Sequence, residues 1–227
     1  MSVPKAAFDA FAQAYPGVPG LTRPIDADRL ARSIRRDFGI VVPDALRDFW
    51  SRFGVGSFGE GEIFIYGEPD TGLSGPHLAA WNAAPWRQGV WPRPEDGGPF
   101  FFGATAFGDQ LGFRYEKGID IPVSFGPVEM ESYRLAEDVE ELFAVVLTER
   151  PALSDPDRFG EARAQLGTLP AGACYVCDVS PLLTGTDRGP FRLEPIGVHV
   201  QTAIAEHDAI SKLPPGSKVS KIKLEWE

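Results

Sequence analysis

The sequence predicts an α+β fold with a helical N-terminal lobe, a central, mainly antiparallel sheet and a helix-rich C-terminal lobe. Three observations predict it. Segments with helical periodicity occur early and late in the 227 residues. Between them, short apolar segments alternate with turn residues, as in an antiparallel meander. The composition, 43% hydrophobic and 24% charged, is that of a globular protein long enough to bury a large core.

Two helices are predicted in the N-terminal lobe. In residues 26–38, Leu30, Ile34 and Phe38 recur every four positions, Asp26 can cap the free N–H groups, and Gly39 ends the helix. The second helix covers residues 43–53 and ends at Gly54. Its apolar face consists of Leu46, Phe49, Trp50 and Phe53.

The central part is predicted to form short strands. The first strand covers residues 63–66, followed by a short helix near 77–81 and an irregular loop. Three tryptophans at five-residue spacing fit neither helix nor strand, so we expect them to anchor loops on the core: Trp81, Trp86 and Trp91. Further strands are predicted at residues 99–107, 110–118, 120–124 and 129–134.

Helices and one strand alternate in the C-terminal third. Helices are predicted at residues 135–148, 156–166 and 196–207, and a strand at 174–179. The last ten residues alternate apolar and charged side chains, which indicates a terminal strand.

The segment 159–204 resembles the C-terminal domain of immunity proteins that neutralise DNase effectors of type VI secretion. The matching residues are Leu166, Gly167, Leu169, Gly172, Tyr175, Pro181, Leu183, Gly185, Leu193, Val198, His199 and Ile204. The resemblance implies that the protein acts by binding another protein.

A second segment resembles the GAD-like domain that precedes this domain in the same family. It is carried by Val42, Pro43, Leu46, Trp50, Gly54, Gly56 and Ser57. The resemblance covers roughly residues 20–208 and implies a GAD-like domain at 1–98 and a type VI immunity C-terminal domain at 99–227. The immunity superfamily SUKH has a similar helix, glycine-rich turn and strand.

The sequence contains no convincing catalytic, metal-binding or cofactor-binding motif. Cys174 and Cys177 form a C-x-x-C, but no second cysteine pair completes a zinc site, and in a strand the two thiols point to opposite faces. We found no cysteine with a credible histidine partner and no G-x-S-x-G. We expect His199 to donate a hydrogen bond to a backbone carbonyl, and we expect no enzymatic activity.

The net charge of −10 lies in the middle of the chain. Residues 60–150 contain 16 acidic and 6 basic side chains. Such a surface repels nucleic acid and attracts basic partners, although a merely solvated acidic surface is an alternative. The predicted partner is a cognate toxin domain, a nuclease with a basic DNA-binding face. The predicted partner-binding residues are Glu95, Asp96, Asp109, Glu116, Asp120, Glu129 and Glu131.

Two other classes remain open. A SUKH-type regulatory or scaffold protein would bind a cellular partner unrelated to toxins, and an enzyme or tRNA-binding module is a third reading. The chain has no secretory signal and no run of about 20 apolar residues, so we expect a cytoplasmic protein without membrane or nucleic-acid partners.

Overall fold

A seven-stranded antiparallel sheet forms the centre of the protein, and each strand pairs with its neighbours in sequence. The computed structural model describes residues 5–91, 98–144, 147, 155–214, 217 and 219. The strands of the large sheet are β1 (Gly17–Arg23), β2 (Val55–Phe58), β3 (Ile63–Ile65), β4 (Phe100–Thr105), β5 (Gln110–Glu116), β6 (Ile119–Gly126) and β7 (Glu131–Arg134). This confirms the predicted α+β class and the antiparallel meander.

Helices precede, interrupt and follow this sheet, and a small two-stranded sheet lies near the C-terminus. The helices are α1 (Lys5–Ala14), α2 (Ala27–Phe38), α3 (Asp44–Phe53), α4 (Leu78–Asn82), α5 (Trp86–Val90), α6 (Val139–Ala144), α7 (Pro156–Leu166), α8 (Pro181–Thr184) and α9 (Ile196–Ser211). The small sheet pairs β8 (Ala173–Cys177) with β9 (Phe191–Pro195) in antiparallel orientation.

Local capping explains why α2 forms where the sequence predicts it. The Asp26 carboxylate accepts a hydrogen bond from the Arg29 N–H at 2.8 Å, which satisfies one of the free donors of the first turn. At the other end, Gly39 adopts the left-handed conformation and its N–H binds the Arg35 carbonyl. The apolar residues between these caps, including Leu30 and Ile34, are buried.

The main core lies between the N-terminal helices and the large sheet and is rich in aromatic rings. Phe11 and Phe49 meet edge to face at 5.0 Å, and Phe49 stacks on Phe143 of α6 at 4.8 Å. The same core includes Cys174 and Val200, so it also holds the C-terminal lobe against the sheet. Aromatic pairs of this kind stabilise a fold beyond the area that they bury.

The three tryptophans at five-residue spacing anchor the loop region, as predicted. The rings of Trp81 and Trp86 lie 5.0 Å apart, and Trp91 lies 5.1 Å from Phe125 of β6. The Trp81 indole N–H also donates to the buried Gln110 side chain at 2.8 Å. Part of the expected irregular loop is the short helix α5.

A smaller second core joins the C-terminal lobe to the large sheet. Phe107, Phe159, Tyr175 and Phe191 form its centre. The Tyr175 N–H donates to the Ala106 carbonyl at 2.8 Å, which ties the small sheet directly to the end of β4.

Several elements differ from the sequence prediction. Strands β1, β2 and β9 and helices α1 and α8 were not predicted. Helix α6 begins at Val139, four residues after the predicted start. The predicted strand at 218–227 lies outside the described residues except for residue 219. The predicted boundary between residues 98 and 99 falls between the paired strands β3 and β4.

Within the described part of the chain, no helix is both long enough and apolar enough to cross a bilayer.

Candidate protein-interaction surface

The predicted partner-binding residues lie at the two opposite ends of β5, β6 and β7. Glu116 and Asp120 flank the hairpin that joins β5 to β6. Asp109, Glu129 and Glu131 lie at the other end, where β5 begins and β6 turns into β7. Because β5 has seven residues at about 3.3 Å each, the two groups are roughly 20 Å apart. They therefore form two separate surfaces. Glu95 and Asp96 lie outside the described residues.

The β5–β6 hairpin has a tight two-residue turn. Lys117 and Gly118 form the turn, and both have positive φ angles, 50° and 91°. Positive φ at both central residues is what a type I′ turn requires, and this turn matches the twist of the strands. Tyr115 and Asp120 face each other just before the turn. The local backbone therefore fixes the positions from which the side chains of the hairpin project.

Three large apolar side chains are exposed around this hairpin. Val41 is 65% exposed, Tyr115 is 72% exposed and Ile119 is 47% exposed. Val41 and Tyr115 line a groove of about 590 Å³ whose floor includes Phe100 and Phe113. An exposed apolar cluster beside a groove is typical of a surface that another protein covers.

An acidic notch of about 330 Å³ borders the same hairpin on the other side. Its carboxylates come from the starts of two helices and from the hairpin: Asp44 in α3, Asp120 in β6, and Asp138 and Glu140 at α6. Asp120 also lines the apolar groove, so the notch and the groove adjoin at this residue. We call Val41, Asp44, Tyr115, Ile119, Asp120, Asp138 and Glu140 together the hairpin surface.

The carboxylates of the notch differ in how far their charges are satisfied. Asp44 pairs with Arg47 at 2.9 Å, and Asp138 accepts the Glu141 N–H at 2.8 Å. Among the residues that the structure describes, Asp120 and Glu140 form no ion pair. Partial burial raises the pKa of Asp120, which is the expected result of desolvating an unpaired carboxyl.

The other end of the strands carries a second acidic group, which we call the turn surface: Asp109, Glu129, Glu131 and Tyr133. Asp109 and Glu129 are close together, because a Cβ on Gly126 would lie 2.5 Å from Glu129 Oε2 and 3.8 Å from Asp109 Oδ1. Burial, followed by the negative charge of Glu129, raises the pKa of Asp109 to about 6. Its carboxylate accepts a hydrogen bond from the Thr105 hydroxyl at 3.1 Å. Asp109, one of the predicted partner-binding residues, is half-buried.

Glu131 of the turn surface and Glu116 beside the hairpin have local partners. Glu131 is exposed and accepts a hydrogen bond from the Tyr133 hydroxyl at 2.7 Å. Glu116 pairs with Arg114 at 2.5 Å, so much of its charge is compensated.

A buried thiol and imidazole lie together at the junction of the two sheets, which the sequence analysis did not foresee. A Cβ on Gly108 would lie 2.4 Å from His199 Cδ2 and 3.4 Å from Cys174 Sγ. Burial raises the pKa of Cys174 well above its usual value and lowers the pKa of His199 to about 4. Both groups are thus neutral at neutral pH and enclosed, and the arrangement lacks the thiolate that a cysteine nucleophile needs.

The expectation that His199 donates a hydrogen bond to a backbone carbonyl is wrong for the described residues. Its Nδ1 lies 3.8 Å from Glu194 Oε2. Cys174 and Cys177 do point to opposite faces, because Cys174 belongs to the main core and Cys177 to the second core. Among the described residues, no group of three or more His, Cys, Asp or Glu side chains is arranged to hold a metal ion.

No known family model matches the chain, and no curated protein is significantly similar to it in sequence. Some of the residues behind the family resemblance are structural in this fold. Leu169, Tyr175 and His199 are buried. Gly172 approaches the backbone of Gly75 so closely that a Cβ would lie 2.3 Å from the Gly75 Cα. These four residues help to pack the C-terminal lobe, whereas Leu193 and Val198 of the same motif are exposed.

Most of the hairpin surface could not be predicted from the sequence. Val41 belongs to a link between two helices, while Asp44, Asp138 and Glu140 begin helices, so nothing local shows that they meet. One local signal was present. Tyr115 and Ile119 flank the Lys117–Gly118 turn at strand ends, where exposed side chains are common.

Proposed function

We propose that this protein is an immunity protein that binds the toxin domain of a type VI effector and neutralises it. The toxin is a DNase, and binding blocks its active site or its path for DNA. The proposal assigns no catalytic step and no cofactor to the immunity protein. It acts in the cytoplasm, where such a toxin would meet DNA, and it binds neither nucleic acid nor membranes.

The observation that carries the proposal is the pairing of carboxylates with exposed tyrosines at both ends of β5, β6 and β7. Tyr115 lies beside Glu116 and Asp120, and Tyr133 lies beside Glu129 and Glu131. Tyrosine is among the residues that contribute most to protein interfaces. A DNase needs a positive face to hold the phosphates of DNA, and a surface of carboxylates and tyrosines is complementary to it.

The first test is protection of a cell. The protein should be produced together with the nuclease encoded beside its gene, and survival and chromosomal DNA integrity should be measured. We expect protection, and we expect purified protein to inhibit DNA cleavage at equimolar concentration. Binding without protection would favour a SUKH-type regulatory or scaffold protein instead. Failure to bind at all would refute the immunity function.

Electrostatic steering gives a second test. The association rate with a catalytically inactive form of that nuclease should fall as salt rises, because exposed charges are screened beyond roughly 8–10 Å at physiological ionic strength. Charge reversal within the acidic group that meets the nuclease, either Glu116 and Asp120 or Glu129 and Glu131, should slow association more than it accelerates dissociation. Reversal at Asp28 on helix α2 is the control and should change little. An association rate that ignores both salt and these variants would contradict acidic steering.

A further inference from the structure

The two acidic surfaces differ in what a partner protein would find there. At the turn surface, the Tyr133 hydroxyl is already bonded to Glu131, and Asp109 is half-buried and bonded to Thr105. At the hairpin surface, three apolar side chains stand exposed, and two carboxylates have no ion-pair partner among the described residues. The clearer difference is therefore the apolar groove with its exposed side chains at the hairpin surface, because Glu129 and Glu131 of the turn surface also form no ion pair among the described residues.

We propose that the hairpin surface is the docking site for a basic protein partner. Tyr115 and Ile119 act as apolar anchors, and the acidic notch receives an arginine or lysine side chain of the partner. The inference takes the identity of the partner, a nuclease, from the proposed function. The location of the docking site rests on the geometry of the hairpin.

The apolar part of the surface has the size and arrangement of an interface centre. Val41 and Tyr115 line the groove next to each other, and Phe100 and Phe113 form an aromatic floor with ring centroids 5.7 Å apart. An apolar side chain of a partner placed in this groove would lose its contact with water on several sides. Such central, desolvated contacts contribute most of the energy of protein binding.

The notch selects for positive charge. Four carboxylates line it, and among the residues that the structure describes only Asp44 has a cationic partner, Arg47. The N-termini of α3 and α6 also meet there, and each contributes at most about half a positive charge. The net charge of the notch stays clearly negative, so binding of a cation is favoured. The notch volume of about 330 Å³ lies at the lower end of the range of ligand sites and suits one long side chain.

The turn of the hairpin lowers the entropic cost of binding. Its two positive φ angles describe a preformed two-residue turn, and β5 and β6 are paired along their whole length. The backbone of the hairpin therefore loses little further freedom when a partner docks, and preorganisation of this kind increases affinity.

Lys117 lies at the tip of the hairpin, where its positive charge opposes the binding of a basic partner. It is exposed, and within the described part of the chain it has no ion-pair partner. If a basic partner docks here, Lys117 repels it. Lys117→Glu should therefore accelerate association, whereas the same substitution would have little effect if the partner bound at the turn surface, roughly 20 Å away.

Matched variants at the two surfaces provide the main experiment. Affinity for the inactive nuclease is measured for Tyr115→Ala and Glu140→Gln at the hairpin surface and for Tyr133→Ala and Glu131→Gln at the turn surface. We expect a loss of about tenfold or more for Tyr115→Ala and a smaller loss for Glu140→Gln. The turn-surface variants should stay within about threefold of the wild type. All four side chains are exposed or half-buried, so the variants should fold.

A second experiment tests the docking site without a toxin. A short synthetic peptide of alternating arginine and leucine is titrated into the wild-type protein, and backbone amide shifts are recorded by NMR. We expect the largest shifts at residues 40–45, 114–121 and 138–141. If they fall at residues 129–134, or nowhere, or if turn-surface variants lose nuclease affinity while hairpin variants do not, the docking site is refuted. If the nuclease does not bind but the peptide maps to the hairpin, the proposed function fails and the docking site stands.

Discussion

Two buried titratable groups act on stability in opposite directions over the same pH range. Asp109 has a folded pKa of about 6 against an ordinary value of 3.8, because its carboxyl is desolvated and lies near Glu129. The stability that its protonated form contributes is present below pH 3.8 and is lost as the pH rises through about 6. His199 is depressed from 6.5 to about 4, so its contribution is present above pH 6.5 and is lost as the pH falls through about 4.

Asp109→Asn should therefore stabilise the protein at neutral pH. The amide keeps a polar group beside Thr105 but cannot become charged beside Glu129. We expect a gain of about 1–3 kcal/mol above pH 7 that disappears towards pH 4, measured by urea unfolding across that range. Asp28→Asn on the exposed part of α2 is the control. A gain that does not depend on pH would show that the charge of Asp109 is not the cause.

Substitution of Gly172 and Gly185 by alanine allows the effect of backbone strain to be compared with the effect of a steric clash. Both have positive φ, 73° and 69°, so alanine is strained by about 1–2 kcal/mol at either position. At Gly172 the new Cβ would also lie 2.3 Å from the Gly75 Cα and 2.6 Å from the Ser74 carbonyl oxygen, whereas at Gly185 nothing lies within 4 Å.

Gly172→Ala should consequently destabilise the protein by several kcal/mol, and Gly185→Ala by about 1–2 kcal/mol. Thermal and urea unfolding of the two variants compare them directly. Equal losses would mean that the close approach of the 74–75 and 172 backbones is not needed for the C-terminal lobe to dock.

The elements that could be predicted from the sequence are those with local signals. Helix α2 has its cap at Asp26, its periodic apolar residues and its stop at Gly39, and α7 likewise has Asp155 before it and Gly167 after it. In both helices the capping carboxylate binds backbone N–H groups of the first turn. Such contacts lie within a few residues, so a single sequence is enough to predict them.

The elements that were missed depend on distant partners. Strand β1 contains Pro19 and Gly20 and forms only because an edge position beside β2 tolerates them. Strand β2 looks like a turn because of its glycine, yet it is fully buried between β1 and β3. The hairpin surface was missed for the same reason, since its residues come from three separate regions of the chain.

The Asn82 side chain connects helix α4 to strand β4. At the end of α4, its amide N–H donates to the Phe101 carbonyl at 2.7 Å and its carbonyl accepts the Phe101 N–H at 2.8 Å. Phe101 lies next to an irregularity in the β4–β5 register, where a side chain can satisfy backbone groups of the strand. The side chain thus joins the helix to the centre of the sheet.

Asn82→Ala should leave both backbone groups of Phe101 without this buried partner and cost about 2–4 kcal/mol of unfolding free energy. Gln88→Ala on the exposed side of α5 is the matched control and should cost less than about 0.5 kcal/mol. Urea unfolding measures both. A near-neutral Asn82→Ala would mean that water or a shifted strand replaces the amide.

At the scale of the whole molecule, the main core crosses the boundary that the sequence suggested between residues 98 and 99. The main core contains Phe11 and Phe49 from before it and Phe143 and Val200 from after it. The sheet also continues across it, with Ile63 of β3 opposite Thr105 of β4. Dividing the chain there would expose the paired edges of β3 and β4 and the apolar faces on both sides.

We therefore expect residues 1–98 and 99–227 to be unable to fold separately. Each piece would retain only part of the core and would leave β3 or β4 as an unpaired, apolar edge, which favours aggregation over folding. The full chain should unfold in one transition with the same midpoint by tryptophan fluorescence and by far-ultraviolet circular dichroism. The two pieces, produced separately and then mixed, test whether the sheet can re-form. A soluble, cooperatively unfolding 99–227 fragment would instead support two independent domains, and the hairpin surface would then have to be studied in that fragment without Val41 and Asp44.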